Sequence, residues 1–140
     1  MKKFIVMAGL IPALVFSACG NPGQGSEKQH EGEQQQKPVV ENVTQEQAMP
    51  MLNDSSILMI DVRTPGEVSG GYIDGADLFI DFNGDFASGI SKLDKNKTYL
   101  LYCHSGGRSS RAAQMMEQAG FTHVYNLLGG ISAWNGPVKR

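Results

Sequence analysis

The chain has 140 residues, 41% hydrophobic and 19% charged, with 12 basic and 14 acidic side chains. That length permits one folded domain, and a slightly acidic balance without a long basic block argues against a nucleic-acid partner. Only two cysteines occur, and their surroundings assign them different ends.

At the N-terminus, Lys2 and Lys3 precede an apolar run from Phe4 to Phe16, and the small residues Ser17 and Ala18 precede Cys19. This pattern predicts a signal peptide over 1–18 that is no part of the fold. The apolar run falls short of the ~20 residues of a transmembrane helix. Phe16-Ser17-Ala18-Cys19 resembles the bacterial lipobox, with Phe16 where Leu is usual. The resemblance implies lipidation of the Cys19 sulfur and cleavage before it. The di- or triacylated product would carry the more than one chain that a stable anchor requires. An ordinary signal peptidase site and an uncleaved anchor are the other readings of these residues. The protein is thus expected to be exported and lipid-anchored to the bacterial cell envelope, with the membrane as one partner. Cleavage would remove two lysines and no acidic residue, leaving a more acidic chain. With Cys19 lipidated, Cys103 is the only free thiol, and no intramolecular disulfide can form where disulfide formation is favoured.

Residues 19–38 are expected to be the lipidated cysteine and its tether. Gly20 to Lys37 is Gly, Gln, Glu, Asn and Ser with almost no apolar side chain, too little to bury a core. His30 lies within it, with no second ligand spaced to make a metal site. No metal or cofactor is expected anywhere in the chain.

The domain itself is expected over 39–140. Val39 to Val43 reads as an edge strand, and Thr44-Gln45-Glu46-Gln47 as a capping box opening a helix that Asn53-Asp54 ends. Ile57 to Ile60 is continuously apolar, as a central parallel strand covered on both faces is. Asp61 and Arg63 then stand at its carboxyl end, where open α/β sheets collect ligand sites. Asp61 is expected to support the site by accepting hydrogen bonds from the Cys103 loop; the other reading is a cap for the helix after Pro65. Arg63 and Glu67, at i and i+4, are expected to pair with each other or with solvent. Leu78 to Ile80 is the next predicted strand, and Asp81 to Asp94 a connection with a short helix, with Phe79, Phe82 and Phe86 filling core or covering the sheet.

Thr98 to Tyr102 is a short, apolar, β-prone strand, and the loop Cys103-His104-Ser105-Gly106-Gly107-Arg108-Ser109 leads from it into a helix. Ala112, Met115, Met116 and Ala119 recur at helical spacing, and Gly120 stands where a left-handed C-cap belongs. Cys103 thus sits between a strand's carboxyl end and a helix N-terminus, whose unpaired amides and dipole favour negative charge. Gly106 and Gly107 let successive N–H groups point inward as an anion nest, and Arg108 adds a fixed positive charge. A thiol of pKa about 8.5 can fall to roughly 3.5–7.5 in such surroundings, which marks Cys103 as a nucleophile more than a buried structural cysteine. His123 to Leu127 forms a last strand, and Trp134 a packing anchor. Alternating strands and helices make a small α/β domain with a mainly parallel central sheet flanked by helices.

Cys103, Gly106, Arg108 and Ser109 resemble the Cys-x-x-Gly-x-Arg-Ser loop of the rhodanese-like family. Ile60-Asp61-Val62-Arg63-Thr64-Pro65 is similar to its Asp-Val-Arg segment, and Gly129-Gly130-Ile131-Ser132-Ala133-Trp134 to its closing Gly-Gly-x-x-Ala-Trp segment. Gly70 to Ala76 resembles its Gly-His-Ile-Pro-Gly-Ala segment with Tyr72 for His and Asp74 for Pro, so contacts of that His do not carry over. The resemblance implies a sulfurtransferase that moves a sulfane sulfur from thiosulfate or a persulfide to a thiol or cyanide-like acceptor through a Cys103 persulfide. Arg108 and the amides of Ser105 to Ser109 would stabilise the anionic sulfur, with His104 tuning the donor or the loop's electrostatics. Cysteine phosphatases and arsenate reductases place five residues between Cys and Arg, whereas four intervene here, a smaller cradle than a tetrahedral oxyanion prefers. A non-turnover sulfur-carrying or protein-binding module is the alternative outside enzymes.

Overall fold

The computed structural model describes residues 37–140, so the signal peptide, Cys19, His30 and the tether through residue 36 lie outside the described residues. Strand β1 (Val39–Val43) is followed by helix α1 (Gln45–Met51), β2 (Ile57–Asp61), α2 (Pro65–Ser69) and β3 (Tyr72–Ile73). Then come β4 (Ala76–Phe79), α3 (Phe86–Ser91), β5 (Thr98–Tyr102), α4 (Gly107–Gln118) and β6 (His123–Leu127). A 3-10 turn over Gly130–Ala133 and a short β7 (Val138–Lys139) close the chain.

Five strands form one sheet in the order β1-β6-β5-β2-β4, every neighbouring pair parallel. The protein therefore has the expected α/β fold. Continuous apolar runs in β2 and β5 occupy the middle, since a strand covered on both faces has no polar side to offer water. Alternation sends Tyr99, Leu101 and Cys103 to the face covered by α3 and α4, and Leu100 and Tyr102 to the face carrying Ala48, Ile73 and Trp134. Ile57 pairs with Thr98 and Asp61 with Tyr102, so β2 and β5 end flush. Everything immediately after them, Arg63 from one and Cys103 from the other, emerges on a single edge.

Several local expectations need revision. The fourth strand starts two residues before Leu78, because an irregularity between Met59 and Ile60 shifts its pairing; the Asp77 carboxylate accepts the Met59 N–H at 2.8 Å there. Phe79, expected to cover the sheet, is 48% exposed and meets the Tyr72 ring edge-on, as an edge strand permits; Phe86 is buried. Helix α4 buries Ser109, Ala112, Ala113 and Met116, while Met115 is exposed. Ser109 is tied to the Cys103 loop, which turns the buried stripe one residue from the face that the apolar residues alone suggest. Its C-terminus ends as expected: Gly120 has φ +91°, its N–H meets Glu117 O, and the Phe121 N–H meets Met116 O in a Schellman motif. Strand β7 has no counterpart in the sequence reading, because two exposed residues carry no periodicity, and it pairs antiparallel with β3.

Candidate active site

Cys103 follows the last residue of β5 and is 1% exposed. Its Sγ accepts hydrogen bonds from the Gly106 N–H at 3.1 Å and the Ser109 hydroxyl at 3.5 Å. That hydroxyl also lies 3.1 Å from Gly106 O. One O–H cannot donate fully to both acceptors at once, so the hydroxyl turns its hydrogen bond toward the sulfur when the thiol is ionised. Burial, the largest single influence, pushes the Cys103 thiol up. The Ser109 hydroxyl and the amides of Ser109, Gly106 and Ser105 together outweigh it and leave the thiol below its ordinary pKa. His104, Ser105 and Gly107 form an exposed rim above the buried sulfur.

The turn depends on two glycines far apart in sequence. Gly106 caps α4 with φ +97°, a conformation open to glycine because it lacks a Cβ. Gly130, at φ +55°, lies against the loop from the other side, where a Cβ would overlap the carbonyl oxygens of Cys103 and His104. The neighbouring amides exploit that approach: Ile131 N–H donates to Cys103 O and Ser132 N–H to His104 O, both at 2.9 Å. The segment that Gly130 opens therefore fixes the two peptide units that follow Cys103. Gly130→Ala should cost about 2 kcal/mol or more, from the left-handed backbone and the overlap together. A fall in melting temperature of roughly 10 °C is expected for a domain this size. An unchanged melting temperature would show that the loop yields to a Cβ.

Charges at this edge pair differently from the sequence expectation. Asp61 reaches neither the Cys103 loop nor the start of α2, whose N-cap is Thr64. Instead it accepts from Arg63: the backbone N–H at 2.9 Å, Nε at 3.0 Å and Nη2 at 2.6 Å. Both residues are buried, and a carboxylate denied water takes the cation two residues along the chain. Arg63 also donates to Gly71 O at 2.8 Å and lies over the Tyr102 ring. Burial, and after it Asp61, pushes the Tyr102 phenol well up, so the group stays protonated; its oxygen accepts the Ile73 N–H at 3.1 Å.

Glu67 is correspondingly free of the Arg63 guanidinium as an ion-pair partner and takes Arg108, 41 residues away. Thr64 and Glu67 form a capping box in the structure, and no local pattern in the sequence signals the long-range pair with Arg108. Arg108 thus lies at the loop with its guanidinium hydrogen-bonded to Glu67, and Cys103 is among the groups that push its pKa up. Among the described residues, no three His, Cys, Asp or Glu side chains converge as metal ligands would.

The geometry matches known proteins. The Rhodanese-like domain family model matches residues 44–137. The chain is 34% identical over 98 residues to a sulfurtransferase of Allochromatium vinosum, across 69% of this chain and 89% of that protein. It is 40% identical over 78 residues to the probable adenylyltransferase/sulfurtransferase MoeZ of Mycobacterium tuberculosis, covering 56% of this chain but spanning only 20% of that longer relative. The crystal structure of a rhodanese-like domain protein from Staphylococcus aureus superposes with a TM-score of 0.61 at 29% identity, over 69% of this chain and 92% of that one.

Proposed function

The chain belongs to the rhodanese-like domain family, and from that premise we propose that it is a sulfurtransferase working through a persulfide on Cys103. The observation that carries this reading is a buried thiol held below its ordinary pKa by hydrogen bonds from the loop around it. Cys103 thiolate attacks the terminal sulfur of a thiosulfate or persulfide donor. The donor's S–S bond breaks, its electron pair leaves with the remainder as sulfite or thiolate, and a new S–S bond joins the transferred sulfur to Sγ. A thiol or cyanide-like acceptor then attacks that outer sulfur, and Cys103 departs as thiolate, the state in which it began. No oxidant or cofactor enters, and the two half-reactions predict ping-pong kinetics. The amides that favour the thiolate also favour the anionic persulfide, whose outer sulfur would extend toward the rim of His104, Ser105 and Gly107.

A donor panel followed by mass spectrometry tests this reading. Cys103 should gain one sulfur atom from a productive donor and lose it when a thiol or cyanide is added. Sulfur that loads but is never released would favour the carrier module over the enzyme; no loading from any donor would overturn both.

The lipobox resemblance of Phe16 to Cys19 supports a location for this chemistry on the cell envelope, outside the cytoplasm. Cys19→Ala should block processing or release the chain from membrane to soluble fractions. Unchanged membrane association with normal processing would refute the anchor.

A further inference from the structure

Arg108 is the one basic side chain within the Cys103–Ser109 loop, and Glu67 occupies both arms of its guanidinium. Arg108 Nη1 donates to Glu67 Oε2 at 2.8 Å and Nη2 to Oε1 at 2.6 Å, the fork-on-fork geometry that makes such pairs strong. Glu67 is itself anchored: its Oε2 accepts the Thr64 N–H at 3.0 Å and the Thr64 hydroxyl at 2.9 Å. Helix α2 beneath it is tied by Arg63 to Glu67 O and Gly71 O. The carboxylate is therefore fixed from the side away from the loop, and it positions the arginine. The Arg108 hydrogen bonds, working against some burial, hold Glu67 at about 2, so it is ionised at any physiological pH. Cys103 contributes to the upward push on Arg108, which puts the guanidinium within electrostatic reach of the sulfur. With Cys103 as thiolate, the three groups carry one positive and two negative charges. The fixed positive charge of the loop is thus matched by the Glu67 carboxylate.

We propose that Glu67 is a specificity-determining positioning residue: by neutralising Arg108 at the mouth of the Cys103 loop, it selects sulfur donors of low negative charge over dianions. The proposal rests on the sulfur-transfer reading and deepens it by naming the charge class of the donor. An organic persulfide or thiosulfonate fits that class better than thiosulfate.

Thiosulfate and methanethiosulfonate test it, because both present a terminal sulfur on a sulfonyl centre and differ by one charge. The steps balance alike: the S–S bond breaks and its pair leaves with sulfite or with methanesulfinate. Glu67→Gln removes the charge while glutamine can still complete the capping box. In the full-length chain, the ratio of kcat/KM for thiosulfate over methanethiosulfonate should rise roughly three- to thirtyfold in Glu67→Gln at low ionic strength, and the rise should shrink as salt is added. Glu67→Asp keeps the charge with a shorter reach, and its ratio should stay near that of the parent. Equal changes for both donors, or a ratio indifferent to salt, would overturn the proposal and leave Glu67 a merely structural clamp.

Failure of the sulfur-transfer reading shows itself separately, as no sulfur gained by Cys103 from either donor. In that event alkylation of Cys103 still decides the charge question. The rate ratio of anionic iodoacetate to neutral iodoacetamide should rise in Glu67→Gln if the carboxylate sets the charge at the mouth. An unchanged ratio counts against it.

Discussion

Cys103→Ser should abolish sulfur transfer, lowering kcat/KM by about 10³-fold or more, because the persulfide has no other sulfur on which to form. The fold should survive. Serine is little different in volume, and its oxygen would accept from the Gly106 N–H that now meets the sulfur, so the stability change should stay within about 1 kcal/mol. Thiocyanate formation from cyanide that persists in Cys103→Ser would remove the basis of the assignment. The parent protein carries a linked pH signature. The thiolate is the nucleophile, so the rate at limiting donor should rise with pH through the Cys103 pKa and level off above it. Since the loop's hydrogen bonds hold the thiol below its ordinary value, the rise should be centred below the pKa of an unperturbed cysteine thiol. A midpoint above that value would mean that burial, not the hydrogen bonds, governs the site.

The second large effect lies beneath the site. Arg63→Met should destabilise the domain by about 3–5 kcal/mol, because it leaves the Asp61 carboxylate buried without its cation. That is a large part of the roughly 5–15 kcal/mol that folded domains possess. Adding Asp61→Leu should recover much of the loss, since what is costly is the unpaired charge and not the absence of the pair. Chemical denaturation of both variants reads this directly. A loss below about 1 kcal/mol in Arg63→Met would show that water reaches Asp61. Equal instability in the single and double variants would place the cost in the Gly71 and Tyr102 contacts of Arg63 instead.

These two residues also show where reading along the chain stops. Asp61 and Arg63 stand at the end of an apolar strand, and that placement was legible. Their partners were not. Two residues apart they would point to different faces of a helix, or stand about 7 Å apart along one face of a strand, yet the chain leaves β2 at Asp61 and folds the arginine back onto its carboxylate. Glu67 then becomes available to Arg108, a pairing that requires α2 and the Cys103 loop to meet above the flush ends of β2 and β5.

The sequence by itself determined the α/β class, the Thr44 capping box, the strands β1, β2, β5 and β6, the Gly120 helix stop and the position of Cys103 between a strand end and a helix start. All of these follow from hydrophobic period, cap chemistry and backbone freedom, which act over a few neighbouring residues. Only the tertiary structure decided that Arg108 is neutralised, that Asp61 serves Arg63, that Gly130 braces the Cys103 and His104 carbonyls, and that Ser109 turns α4 onto its buried stripe. Each is a contact between segments brought together by packing. The pairing of buried charges and carbonyls is settled by which groups lose water together, and that is a property of the assembled sheet edge and not of any stretch of chain.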